Sequence, residues 1–145
     1  MSNPITGQCL CGQVTYSVSG SPKIVAQCHC DECRKLSGTG HAVGAMFAVQ
    51  DVDILGETQS FQYTSAHGSQ VTKVFCPTCS SPIYGKNSNL SDHMTLTLGT
   101  MNEPVDLNVQ VVIFGRDKPH WDQVDPDVMS FDTQPDWTPP DQNAE

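Results

Sequence analysis

Basic side chains are scarce in this chain: its 145 residues hold seven Lys and Arg against sixteen Asp and Glu, a formal charge of -9. Such a surface repels phosphate backbones instead of releasing their counterions, which argues against nucleic acid as a partner. Long apolar runs are missing as well. No segment approaches the roughly 18 residues of a membrane span, and residues 1–7 contain no basic stretch leading into an apolar one. No membrane contact is therefore expected, and the reading places the protein in the cytoplasm. A long amphipathic helix, an internal repeat and a low-complexity tract are all absent, apart from a biased C-terminal stretch. With 37% hydrophobic residues, the chain suits one domain with a modest core that gains from added cross-links.

Cysteine is what the chain does have. Its seven cysteines fall into three groups, Cys9-Leu10-Cys11, Cys28-His29-Cys30-Asp31-Glu32-Cys33 and Cys76-Pro77-Thr78-Cys79. Disulfides join residues brought together across a fold, whereas Cys-x-Cys and Cys-x-x-Cys spacings aim several sulfurs at one point from one turn. An odd number of thiols fits a disulfide framework poorly and divides naturally into a four-thiolate and a three-thiolate metal site. Four thiolates close the tetrahedron of a structural zinc, and three leave one position free. An alternative is a single zinc on two Cys-x-x-Cys pairs, with the remaining cysteines reduced bystanders. Free thiolates agree with a reducing compartment.

The rest of the chain reads as short β-rich runs separated by Gly, Pro, Ser and Asn. Val14, Tyr16 and Val18 alternate with Thr15, Ser17 and Ser19, the two-residue period of a half-buried strand. Further strands are predicted near residues 23–28, 42–49, 58–64, 70–76, 94–99 and 109–114. The segment 31–36 looks like a helical turn that Ser37-Gly38-Thr39-Gly40 ends, with Asp31 and Glu32 capping its start. This pattern argues for an all-β sandwich or barrel-like fold. Residues 116–145 carry eight acidic residues against Arg116 and Lys118, together with five prolines. A single domain over 1–137 is expected, with Trp121, Val124, Met129, Phe131 and Trp137 laying that stretch against it, and a flexible acidic tail over 138–145.

Local geometry suggests which cysteines share a metal. Cys76-Pro77-Thr78-Cys79 follows a strand and resembles a zinc knuckle, which needs a second pair. Cys9 and Cys11 project from one side of an extended segment and supply two ligands. Cys28, Cys30 and Cys33 can grip an ion unaided. The outer groups are therefore paired, and the middle one is left as an open site.

Gly7-x-Cys9-x-Cys11-Gly12-x-Val14-x-Tyr16, Cys28-His29-Cys30-x-x-Cys33-Arg34-Lys35 and Phe75-Cys76-Pro77-x-Cys79 together resemble the glutathione-dependent formaldehyde-activating (GFA) family, which includes the centromere-protein-V-like proteins. The likeness continues through Ser81-Pro82-Ile83-Tyr84-Gly85, Leu98-Gly99-Thr100-Met101-Asn102-Glu103-Pro104 and Trp121. It implies an Mss4-like fold of twisted β-sheets stapled by two zinc ions per chain. One would be structural, on Cys9, Cys11, Cys76 and Cys79; the other would be catalytic and more weakly held, on Cys28, Cys30 and Cys33. The implied activity is that of a carbon-sulfur lyase joining glutathione and formaldehyde into S-(hydroxymethyl)glutathione, or the reverse. Two positions depart from the family pattern: Ser80 stands where glycine is common, which strains a turn needing positive φ, and Val112 stands where many members have histidine.

Three thiolates on a divalent ion leave a net charge of -1, a weak Lewis acid that disfavours hydroxide but accepts a soft thiol. A thiol such as glutathione and a small aldehyde are thus the expected partners. Arg34 and Lys35 are weaker candidates for holding the carboxylates of the thiol, or for neutralising the thiolate centre. His29, between two ligands, is expected to point away and pack, and His41, His67, His93 and His120 have no ligand spacing. Met46, Phe47 and residues 111–114 are assigned to the core. Hydrolysis of an imine or related carbon-nitrogen bond at the same zinc, and a non-catalytic zinc-binding interaction module, are the alternative readings. The sequence leaves the oligomeric state undetermined.

Overall fold

Among the described residues eleven short strands build almost all of the regular structure, the seven predicted from the sequence and four more. The computed structural model describes residues 4–103 and 105–134. In chain order the elements are β1 (Ile5–Gln8), β2 (Thr15–Val18), β3 (Ile24–Cys28), α1 (Asp31–Ser37), β4 (Ala42–Ala48), β5 (Val52–Leu55), β6 (Gln59–Thr64), β7 (Gln70–Phe75), β8 (Pro82–Asn87), β9 (His93–Thr97), β10 (Val111–Ile113) and β11 (Met129–Ser130), with single-turn 3-10 helices between some of them. Three strands form a small sheet in the order β1-β2-β5, and eight form a larger one in the order β11-β10-β3-β4-β9-β8-β7-β6. The protein is mostly β, with its sheets in a sandwich-like arrangement. No helix among the described residues is long and apolar enough to cross a membrane.

The core follows from strand alternation. In β2 the side chains of Tyr16 and Val18 are buried while Thr15 and Ser17 stay half-exposed. They meet Val25 of β3, Ala45 and Phe47 of β4, Ile83 of β8 and Leu96 of β9, so one apolar cluster joins the two sheets. Phe47 is buried as expected, but Met46 sits half-exposed on the opposite face of the same strand, because successive side chains point to opposite faces. Strands β3, β4, β9, β8, β7 and β6 run antiparallel to their neighbours, whereas β10 joins β3 in parallel.

The described part of the C-terminal stretch, residues 116–134, lies against the domain through backbone pairing and the Asp122 side chain. Its residues 129–130 add β11 to the sheet edge, and the Phe131 N–H donates to the Val112 carbonyl at 2.9 Å. Trp121, expected to supply apolar contact, is 61% exposed. The predicted tail over 138–145 and Trp137 lie outside the described residues.

Candidate metal centre

The strand ends carry the chemistry. Cys9 follows β1 of the small sheet, and Cys76 and Cys79 lie in the turn joining β7 to β8 of the large sheet, so the set formed by Cys9, Cys11, Cys76 and Cys79 bridges the two sheets. The four sulfurs lie within 4.8 Å of one another, with 3.6 Å between those of Cys9 and Cys11 and 3.7 Å between those of Cys11 and Cys76. A zinc-sulfur bond of about 2.3 Å gives a tetrahedron edge of about 3.8 Å, whereas a disulfide would need about 2.05 Å. Backbone N–H groups aim at these sulfurs: Val14 donates to Cys9 Sγ at 3.3 Å, and Thr78 and Cys79 to Cys76 Sγ at 3.4 and 3.5 Å. The Ser81 hydroxyl, 3.2 Å away, and neighbouring N–H groups lower the Cys79 thiol to about 5. The donor set fits a zinc ion, and all seven cysteines are free thiols.

Cys28, Cys30 and Cys33 also lie within 4.8 Å of one another, gathered by 6 residues of chain at the end of β3 and the start of α1. Cys30 is itself the N-cap of the helix, its Sγ accepting from the Cys33 N–H at 3.3 Å. The expected caps, Asp31 and Glu32, occupy the first turn instead, because the thiol already satisfies the orphan amide. Contacts with Cys28 and Cys33 bring the Cys30 thiol down to about 2, while contacts with Cys30 and Cys33 push Cys28 far up. The three thiols thus compete for their protons, and a cation would favour their full ionisation. Clusters of this composition could hold zinc.

Beside Cys33 opens a cavity of about 290 Å³, between α1 and the face of the large sheet turned away from the core. Leu36 and Ser37 of α1 stand over one side; Lys73 of β7 and Thr95 and Thr97 of β9 rise from the other. Arg34 and Lys35 are not part of this lining: they reach back to Asp31, at 3.1 and 2.7 Å. Tyr63 of β6 is pushed up by burial and by the thiols of Cys33 and Cys30, so its phenol keeps its proton beside the cluster. Sequence reasoning missed Lys73, Thr95 and Thr97. The alternation of β7 and β9 could have placed them on one face, but nothing in it says that this face meets the helix.

His29 points away from its flanking ligands and is fully buried. Its Nδ1 donates to the Gly40 carbonyl at 2.8 Å, its Nε2 lies 3.1 Å from the Gln27 amide nitrogen, and Asp122 Oδ2 is 3.3 Å away. His41 Nδ1 lies 2.6 Å from the same Asp122 oxygen. His41, which has no ligand spacing in the sequence, thus joins His29 and Asp122 in a third close group. With both His29 nitrogens already engaged, this group ties the cysteine loop to the C-terminal segment.

This is a small β protein whose sheets are bridged by one cysteine quartet that could hold a metal ion, and whose cavity opens beside a cysteine trio. The family model for the glutathione-dependent formaldehyde-activating enzyme matches residues 4–117, and the chain belongs to this GFA family. No curated protein matches it. Among solved structures, a Rhodobacter sphaeroides protein is similar at 20% identity with a TM-score of 0.55, covering 70% of this chain and 90% of that one, which supports the fold.

Proposed function

We propose that the protein is a zinc-dependent carbon-sulfur lyase that adds a thiol such as glutathione to formaldehyde or another small aldehyde, or runs the reverse, in a reducing cytoplasm. The observation that carries this reading is the contrast between the two sulfur groups: the quartet is complete with four protein donors, whereas the trio offers three and borders a cavity. Cys9, Cys11, Cys76 and Cys79 would hold the structural zinc, and Cys28, Cys30 and Cys33 the catalytic one. A zinc ion on three thiolates supplies a soft fourth position at which a thiol loses its proton.

The chain's own residues do the rest. The sulfur lone pair attacks the aldehyde carbon, the carbonyl π pair moves to oxygen, and the thiol proton ends on that oxygen, so thiol plus aldehyde balances as the hydroxymethyl thioether. Leu36, Phe61 and Phe75 give the cavity apolar walls, and the hydroxyls of Thr95 and Thr97 are among its polar groups. Arg34, with its Nε buried and without a hydrogen-bond partner, and Lys35 remain candidates for holding a distal carboxylate if Asp31 releases them. The test is zinc per chain together with product formation from 13C-formaldehyde and glutathione, followed by NMR. Two zinc ions and accelerated hydroxymethyl-thioether exchange are expected. Cys30→Ser should lose one zinc and the acceleration while staying folded; an unaltered rate in that variant sinks the proposal.

A further inference from the structure

We propose that Lys73 is the anchor for a carboxylate on the thiol substrate, which makes compact mercaptocarboxylates the substrate class of this site. The inference rests on the lyase reading for its chemistry but on separate observations for its specificity. Lys73 stands in a cross-strand row, opposite Phe61 of β6 on one side and Gly85 of β8 on the other, with Thr95 of β9 beyond. Gly85 makes room for it: a Cβ there would lie 3.0 Å from Lys73 Nζ and 3.2 Å from its Cδ. The lysine stem is thus laid along the sheet over the glycine, inside the cavity that Cys33 borders.

Lys73 forms no ion pair with a carboxylate among the described residues, and it is the one cationic side chain in the cavity lining. Lys23, Lys86 and Lys118 likewise form no ion pair with a carboxylate among the described residues, and Lys73 is the one of these four that lines the cavity. An ammonium held beside apolar walls and left without a carboxylate is a ready partner for one arriving on a ligand. At about 290 Å³ the cavity lies at the small end of ligand sites. Glutathione brings two carboxylates and an ammonium to a lining with one cation, so a short thiol with a single carboxylate is the closer chemical match. Such a ligand spans the site with sulfur toward Cys33 and carboxylate on Lys73.

The experiment compares 3-mercaptopropionate with its methyl ester, which keeps the thiol and removes the charge, on the zinc-loaded full chain. Binding is measured by calorimetry and turnover with formaldehyde by NMR. The expected acid-to-ester affinity ratio is about tenfold, the range of one charge-assisted hydrogen bond, collapsing to about one in Lys73→Met and retained in Lys73→Arg. A ratio that survives in Lys73→Met overturns the inference, because Lys73 then only neutralises the sulfur trio and weakens both ligands alike. Lys73-dependent binding without any turnover would uphold the anchor and reject the lyase reading, whereas turnover without the ratio would do the opposite.

Discussion

Ser80 holds a backbone conformation that its side chain opposes, and the size of that conflict can be worked out. Its φ of +67 lies in the left-handed region, in the turn that closes the Cys76–Cys79 knuckle, where its N–H donates to the Cys76 carbonyl at 2.9 Å. A residue with a Cβ pays about 1–2 kcal/mol there. Glycine removes that strain but gives the unfolded chain more freedom, offsetting about 0.5–1 kcal/mol. Ser80→Gly should therefore stabilise the protein by about 0.5–1 kcal/mol, a rise of roughly 2 °C in melting temperature for a chain of this size. Gly38, the left-handed cap of α1 at φ +73, is the mirror case. Nothing lies within 4 Å of a Cβ built there, so Gly38→Ala isolates the backbone cost at about 1 kcal/mol lost. Urea unfolding at saturating zinc should move the two midpoints in opposite directions at constant m-value. If Gly38→Ala falls as expected but Ser80→Gly does not rise, the knuckle turn is unstrained and the argument fails.

Phe47, fully buried between the sheets, should cost about 3–5 kcal/mol on truncation to Ala, read from urea unfolding. Gly44→Ala drives a methyl into Thr95 and to 3.2 Å from the Leu96 carbonyl, so it should destabilise by about 1–3 kcal/mol and narrow the cavity floor, weakening thiol binding by calorimetry. Burial raises the Asp122 carboxyl, but hydrogen bonds from His41 and the Gln123 N–H outweigh it, and the net shift is downward from 3.8. The sign follows: the unfolded chain takes up the proton first, so this stabilisation is complete above about pH 4 and lost as pH falls through the lower folded value. The stability gap between wild type and Asp122→Asn should hold at pH 5 and close in stronger acid. Graded chelator should remove one zinc while far-UV circular dichroism is unchanged and a second only with unfolding; simultaneous loss of both would contradict the division of roles.

The cysteine groups were legible because short-range spacing brings neighbouring sulfurs together, which is enough for Cys28, Cys30 and Cys33, whereas the quartet also needs the two sheets to meet. Strands were legible where alternation is clean, as along Val14–Val18, and missed where it is not. β1 includes Gly7, whose lack of a side chain accommodates the Tyr16 ring, β5 leaves Leu55 70% exposed, and β8 contains Pro82 and Gly85 beside a bulge. Each looks like punctuation in one dimension and becomes a strand only through its neighbours. Lys73 and the bond between His41 and Asp122 were invisible for another reason: they depend on sheet order and on contacts 81 residues apart. The backbone need at position 80 was readable only through the family resemblance, in which glycine is common there.

The two sulfur groups differ most in how much chain they close, and this difference explains why one can be reactive. Cys11 and Cys76 are 65 residues apart and follow strands of different sheets, so a metal joining them would remove the freedom of a long loop from the unfolded chain. Its binding energy would be folding energy, with two of its four sulfur donors, those of Cys9 and Cys76, buried. The trio closes almost no loop and is organised by α1, whose cap hydrogen bonds exist with or without an ion. An ion there would contribute little to the global fold and would be exchanged or shared with an incoming sulfur at little structural cost. In the proposed reading, stability and lability would thus reside in separate centres of one small fold, so the site meeting substrate need not also hold the protein together.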